Sequence, residues 1–160
     1  MRNVAVMGLG NFGTALACNW LAEGLRVSGW TVEQEVYDSI QATGINEKYL
    51  DDVSLEGLKV SMDIAQSVAD AEIVVLALPS HVVLSVVDDL LPHLRDEHIL
   101  LDLAKGLAPG DQMISEVISE KLEAAKLTCQ LCVMMGPTIA PELARGVYTT
   151  ALVTSNDVAL

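Results

Sequence analysis

The stretch Glu72-Ile-Val-Val-Leu-Ala-Leu78 sets the tightest limit on what this 160-residue chain can fold into. Its apolar run is continuous, and Pro79 ends it. A strand with one wet face alternates apolar and polar residues, so a run without alternation is covered on both sides. The rest of the chain supplies the covers. Asn3–Met7, Leu25–Thr31, Lys59–Met62, His98–Leu103, Gln130–Met135 and Tyr148–Thr154 read as further strands. Between them, Asn11–Glu23, Glu33–Ala42, His81–Leu91, Asp111–Ala125 and Thr138–Ala144 read as helices, and Asp63 caps a helical turn. The stretch Ile45–Leu58 reads as irregular and polar. Strands alternating with helices imply parallel pairing with right-handed crossovers. The expected fold is α/β: a doubly wound, mostly parallel sheet in three αβα layers, built as one domain.

Composition narrows the function. Nine Lys+Arg stand against 22 Asp+Glu, a formal net charge of −13. Such a surface repels phosphate backbones, and aromatic residues at 4% leave little for base stacking, so no nucleic-acid partner is expected. A small anionic ligand is not excluded, because it feels local dipoles and single cations. No apolar run reaches the roughly 18 residues of a membrane span, and no signal-peptide cleavage pattern follows the N-terminus, so a soluble cytoplasmic protein is the default.

Gly8-Leu9-Gly10-Asn11-Phe12-Gly13 is a G-x-G-x-x-G that follows a strand and opens a helix. In that context each glycine has a task. Gly8 permits the tight turn, Gly10 lets the backbone approach a pyrophosphate, and Gly13 lets helix and strand pack closely. The helix N-terminus then faces the phosphates, and each charge-assisted hydrogen bond there is worth about 1.5–3 kcal/mol. A dinucleotide site also wants an acid about 20 residues further on, for the ribose hydroxyls. Glu33, after Trp30-Thr31-Val32, sits there. It reads equally as a helix N-terminal carboxylate, and one residue could serve both ends. Lys105, in Ala104-Lys105-Gly106, and Gly136-Pro137-Thr138 close two further strands. In an open parallel sheet those ends face the same crevice as Gly10.

Other constellations carry less. Cys129 and Cys132 form half a zinc site at best and read as buried strand cysteines; Cys18 reads as core. No metal site is expected. Ser80 and His81 are sequence neighbours, which rarely aim at one another as a triad, and Ser80 reads as an N-cap. His93 and His98 read as surface residues. The reading from another class is a stand-alone dinucleotide-binding regulatory module, although no DNA-binding or gating segment accompanies the nucleotide fold.

Five segments together resemble the N-terminal domain of NAD(P)-dependent sn-glycerol-3-phosphate dehydrogenases. They are the turn Gly8 to Leu16 with Trp30 after it, Asn46-Glu47-Lys48-Tyr49-Leu50, Leu78-Pro79-Ser80-His81, Lys105-Gly106-Leu107, and Gly136 to Gly146. The resemblance runs from Val4 to about Thr154. It implies a Rossmann-like NAD-binding domain over residues 1–160 of an oxidoreductase that interconverts dihydroxyacetone phosphate and glycerol 3-phosphate. By position, Asn11 and Phe12 would touch the cofactor, as would Trp30, Val32 and Pro79. Lys105 would contact cofactor and substrate, Gly136 and Thr138 would help hold the substrate, and Ala140 would border the cofactor. NAD is the expected cofactor, with NADP disfavoured because Val32 stands where NADP-using members often carry a basic residue. Gly29 departs from a good strand, having no side chain to pack. The family continues into a helical domain that supplies the catalytic lysine and most phosphate ligands. No catalytic residue is therefore expected within this chain, which reads as a truncated piece ending at a helix start, Ser155-Asn156-Asp157. A homodimer of the full-length enzyme is left open.

Overall fold

The computed structural model describes residues 2–155. The elements are β1 (Asn3–Met7), α1 (Asn11–Ala22), β2 (Arg26–Trp30), α2 (Gln34–Thr43), β3 (Lys59–Ser61), α3 (Ile64–Val68) and β4 (Ile73–Leu76). They continue with α4 (Ser80–Leu90), a 3₁₀ turn at Leu91–His93, β5 (Ile99–Asp102), α5 (Ile114–Ala124), β6 (Gln130–Met135), α6 (Ala140–Ala144) and β7 (Leu152–Ser155). The sheet order is β3-β2-β1-β4-β5-β6-β7, parallel throughout except for the antiparallel β6–β7 pair. The helix start expected after Ser155 lies outside the described residues. Among the described residues no helix is long and apolar enough to cross a membrane.

Alternation along the strands sorts the core into two layers. Val4 and Val6 of β1 pack with Leu16 and Ala17 of α1, Val36 and Ile40 of α2, and Leu143 of α6. Ala5 and Met7 point the other way, toward Val68 of α3, Val83 and Val87 of α4, and Ile114, Ile118 and Leu122 of α5. In β4, Val74, Val75 and Leu76 are all fully buried, as a strand covered on both faces must be. Burying a side chain of this size contributes roughly 1.5–3 kcal/mol, so this central strand anchors both layers.

Several sequence expectations shift. Ser80 is the first residue of α4 rather than its N-cap; Pro79 holds that place. The helix after the β5 loop starts at Ile114, not Asp111, because Asp111 turns the chain at φ 60. The sixth helix starts at Ala140 and the last strand at Leu152, two and four residues later than their periodicity suggests. The segment between α2 and β3 is irregular with its charged side chains exposed, as expected, but it also has an inner face: Asn46, Leu50, Val53 and Leu55 are buried. Cys129 lies just before β6 and Cys132 within it, both buried as expected, whereas Cys18 is only half-buried. Gly29 is not a weak point. A Cβ there would come within 2.9 Å of the Leu9 side chain, so its absence seats Leu9 of the glycine turn in the core.

His98 is the clearest reversal: it is 1% exposed, not a surface residue. The loop after α4 folds back so that the Arg95 N–H donates to His98 Nδ1 at 2.9 Å, while Nε2 is buried without a partner. Burial, and then the positive charge of Arg95, hold the imidazole below its ordinary pKa. A depressed histidine is neutral when folded and takes up a proton on unfolding. Its stabilising contribution is complete above the unfolded value near 6.5 and is lost as pH falls toward the folded one. The urea midpoint is expected to drop between about pH 7.5 and 5.5, with a slope from this group of at most about 1.4 kcal/mol per pH unit. His98→Asn, whose Oδ1 can accept where Nδ1 does, is expected to flatten that drop. An unchanged slope in the variant would assign the effect elsewhere.

Candidate cofactor site

The strand order reverses between β1 and β4, and the turn that leaves β1 at that point is Gly8–Gly13. Its geometry follows from the missing side chains. Gly8 adopts φ 101, and a Cβ on it would lie 2.6 Å from the Ala77 carbonyl oxygen at the end of β4. A Cβ on Gly13 would lie 1.9 Å from the Gly8 carbonyl oxygen, so only glycine lets α1 start this close to the strand. Gly10 differs: it is the N-cap of α1, and a Cβ there would meet nothing within 4 Å. Steric need inside the protein explains Gly8 and Gly13 but not Gly10. The open space over Gly10, at a helix N-terminus that no side chain caps, suits the pyrophosphate of a dinucleotide. Asn11 is exposed there, and Phe12 is half-buried against the core beneath.

A polar brace holds the turn from below. Asn46 and Thr14 are both 0% exposed. Asn46 Nδ2 donates to the Leu9 carbonyl at 2.9 Å and to Thr14 Oγ1 at 2.8 Å, and Thr14 Oγ1 donates to the same carbonyl at 3.1 Å. The backbone between Gly8 and Gly10 is thereby fixed by a residue 37 positions away. The sequence offered Asn46 only as part of a matched segment, with no role attached.

At the end of β2, Trp30 is buried and donates its indole N–H to the Met62 carbonyl at 3.2 Å, while Val32 is 69% exposed. Glu33 occupies the N-cap position of α2, but its side chain caps nothing there. Instead Lys48 Nζ contacts Glu33 Oε2 at 2.5 Å, and the Tyr49 hydroxyl donates to Oε1 at 2.8 Å. Lys48 also pairs with Glu35. The Lys48 ammonium holds the Glu33 carboxyl below the usual carboxylate range, and Glu33 in turn raises the Tyr49 phenol.

The far wall of the crevice comes from the ends of β4, β5 and β6. Pro79 leads into α4. Lys105 is exposed and has no polar partner among the described residues. Gly106 beside it turns at φ 122, against Ser80. The turn toward Lys105 is set by Asp102, which is 1% exposed and accepts the Ala104 N–H at 2.9 Å; burial raises its carboxyl. Gly136 packs so tightly against the returning chain that a Cβ would lie 2.5 Å from the Thr150 carbonyl oxygen. Thr138 meets the same chain, its Oγ1 donating to the Thr150 carbonyl at 3.4 Å. Ala140 is buried against Ala15, Leu50 and Val53, which ties α6 to α1. The sequence-predicted residues thus gather at the carboxyl ends of the strands. A separate cavity of about 860 Å³ lies at the opposite end, bordered by Asn3, Arg26 and Lys59 where β1, β2 and β3 begin.

The family model described as the NAD-dependent glycerol-3-phosphate dehydrogenase N-terminus matches residues 3–160. The glycerol-3-phosphate dehydrogenase (NAD(P)+) of Syntrophotalea carbinolica is 36% identical over 157 residues, 97% of this chain and 47% of that protein. Its counterpart in Clostridium perfringens strain 13 is 32% identical over 157 residues, 97% of this chain and 46% of that protein. Among solved structures, glycerol-3-phosphate dehydrogenase from Coxiella burnetii superposes with a TM-score of 0.89 at 29% identity, covering 98% of this chain and 47% of that one. The yeast enzyme, from Saccharomyces cerevisiae, gives 0.83 at 25%, covering 99% and 48%. The chain spans about half the length of the relatives it matches.

Proposed function

The chain belongs to the family of NAD-dependent glycerol-3-phosphate dehydrogenase N-terminal domains, and from that premise we propose that it holds NAD(H) for hydride transfer between the nicotinamide and dihydroxyacetone phosphate or glycerol 3-phosphate. The observation that carries the reading is the open space over Gly10 at an uncapped helix N-terminus. Backbone N–H groups at the start of α1 would hold the pyrophosphate, and Glu33 would receive the adenosine ribose hydroxyls. When bound, the cofactor supplies or accepts the hydride. Lys105 would place its ammonium against the substrate oxygen that becomes negative as the carbonyl is reduced, and Gly136, Thr138 and Ala140 would border the reacting end.

Reduction also needs a proton for that oxygen, delivered from hydrogen-bond reach. In our reading Lys105 is a substrate ligand, and the proton donor lies outside these 160 residues. The same reading makes the enzyme cytoplasmic, and gives it no role with nucleic acid, for which the net charge of −13 is the support.

Residues 1–160 are expected to quench or shift NADH fluorescence on binding, yet to oxidise no NADH with dihydroxyacetone phosphate above the uncatalysed rate. General acid–base catalysis alone is typically worth 10²–10⁴-fold, and the positioning lost with it adds more. Failure to bind NADH would overturn the cofactor assignment. Turnover at ordinary enzyme rates would make Lys105 or another residue of this chain the proton donor.

A further inference from the structure

The adenosine end of the crevice carries a charge arrangement that the glycine motif does not require. Glu33 and Glu35 lie at the start of α2, and the ammonium of Lys48 sits between them. Lys48 and Tyr49 arrive on the segment that begins at Asn46, the residue locked beneath the glycine turn. The segment that braces the pyrophosphate turn therefore also delivers a cation to the ribose position. Val32, the other side chain placed to meet a 2′-substituent, is apolar and exposed. Among the described residues, no cation other than Lys48 pairs with either glutamate.

We propose that Lys48 is a specificity-determining residue for the adenosine ribose, releasing Glu33 to pair with a 2′-phosphate when the cofactor carries one. The proposal rests on the reading that a nicotinamide dinucleotide lies on the Gly8–Gly13 turn. Its charge logic is direct. Two carboxylates and one ammonium leave the cluster with one net negative charge, which favours an unphosphorylated ribose. A 2′-phosphate brings up to two further negative charges, and without Lys48 it would face Glu33 and Glu35 unshielded. Lys48 is partly exposed on a flexible stem, so it can exchange one anion for another without moving the backbone. The residue does not turn the site into one selective for NADPH. It sets how severely NADPH is rejected.

The test is a set of dissociation constants for NADH and NADPH, measured by fluorescence with the wild-type chain and with Lys48→Met, Lys48→Arg and Glu33→Gln. Lys48→Met is expected to weaken NADPH about tenfold or more while moving NADH by less than about threefold. Lys48→Arg should restore most of the NADPH affinity, and Glu33→Gln should shift the preference toward NADPH. Raising the salt concentration should narrow the difference between wild type and Lys48→Met. If the wild-type chain binds both cofactors and Lys48→Met leaves their ratio unchanged, or weakens both equally, the assignment of Lys48 is overturned while the cofactor reading stands. If the wild-type chain binds neither, the cofactor reading fails first and this inference falls with it.

Discussion

Asn46→Ala is expected to lower stability by about 2–4 kcal/mol and to weaken NADH binding at least tenfold. The amide is wholly buried, and its two donated hydrogen bonds end on the Leu9 carbonyl and the Thr14 hydroxyl. Each is worth about 1 kcal/mol net, and truncating a buried side chain adds a cavity term. For a domain of this size that is a fall of roughly 5–15 °C in Tm. The affinity loss has a different origin. The Leu9 carbonyl lies between Gly8 and Gly10, and releasing it lets the turn sample conformations in which its N–H groups no longer converge on a phosphate. Thr14→Val keeps the shape and removes only the hydroxyl, so a smaller loss of about 1–2 kcal/mol is expected. Thermal melts and NADH titrations of both variants check this. An Asn46→Ala variant that melted and bound like wild type would remove the brace from the account.

Sequence legibility followed the range of the physics. The turn between β1 and α1 was readable because steric exclusion at Gly8 and Gly13 acts within a few residues of chain. The β4 strand was readable because burial on both faces erases alternation. Topology alone puts Lys105 and Gly136-Pro137-Thr138 beside the glycine turn, since a parallel sheet gathers its carboxyl ends on one edge; Ala140 comes only from the family resemblance. Interactions that close over long separations were not readable. Asn46, a polar residue in a loop, looks like a surface residue until its contact with Leu9 closes 37 positions of chain. The Glu33–Lys48 pair spans 15 positions: Glu33 stands at the N-terminus of α2 as one of its two readings has it, but no local pattern announces the ammonium and phenol that hold its carboxylate. His98 shows the same limit in a short loop. Its imidazole accepts a backbone N–H three residues back, which lets a polar residue bury where hydropathy alone predicts exposure. α5 starts three residues later than Asp111 because its N-cap is Met113, not a residue that caps by preference; Glu116 accepting the Met113 N–H at 3.0 Å supports the first turn instead.

The central claim is that the N-terminus of α1, opened by Gly10, is where the cofactor's phosphates lie. Two glycine substitutions measured side by side test it most directly, because the structure separates their effects. Valine at Gly13 would force its Cβ into the Gly8 carbonyl oxygen, so Gly13→Val is expected to lose the native circular dichroism spectrum and binding together. Gly10 has φ −74 and open space around its missing Cβ, so Gly10→Val can keep the fold, at a capping cost of about 1 kcal/mol or less. Its isopropyl group would occupy the position assigned to the pyrophosphate. NADH titrations of Gly10→Val are therefore expected to show affinity reduced at least a hundredfold, with a native-like spectrum and a cooperative melt. Binding by a folded Gly10→Val chain within a few fold of wild type would contradict the account and move the phosphates away from this turn.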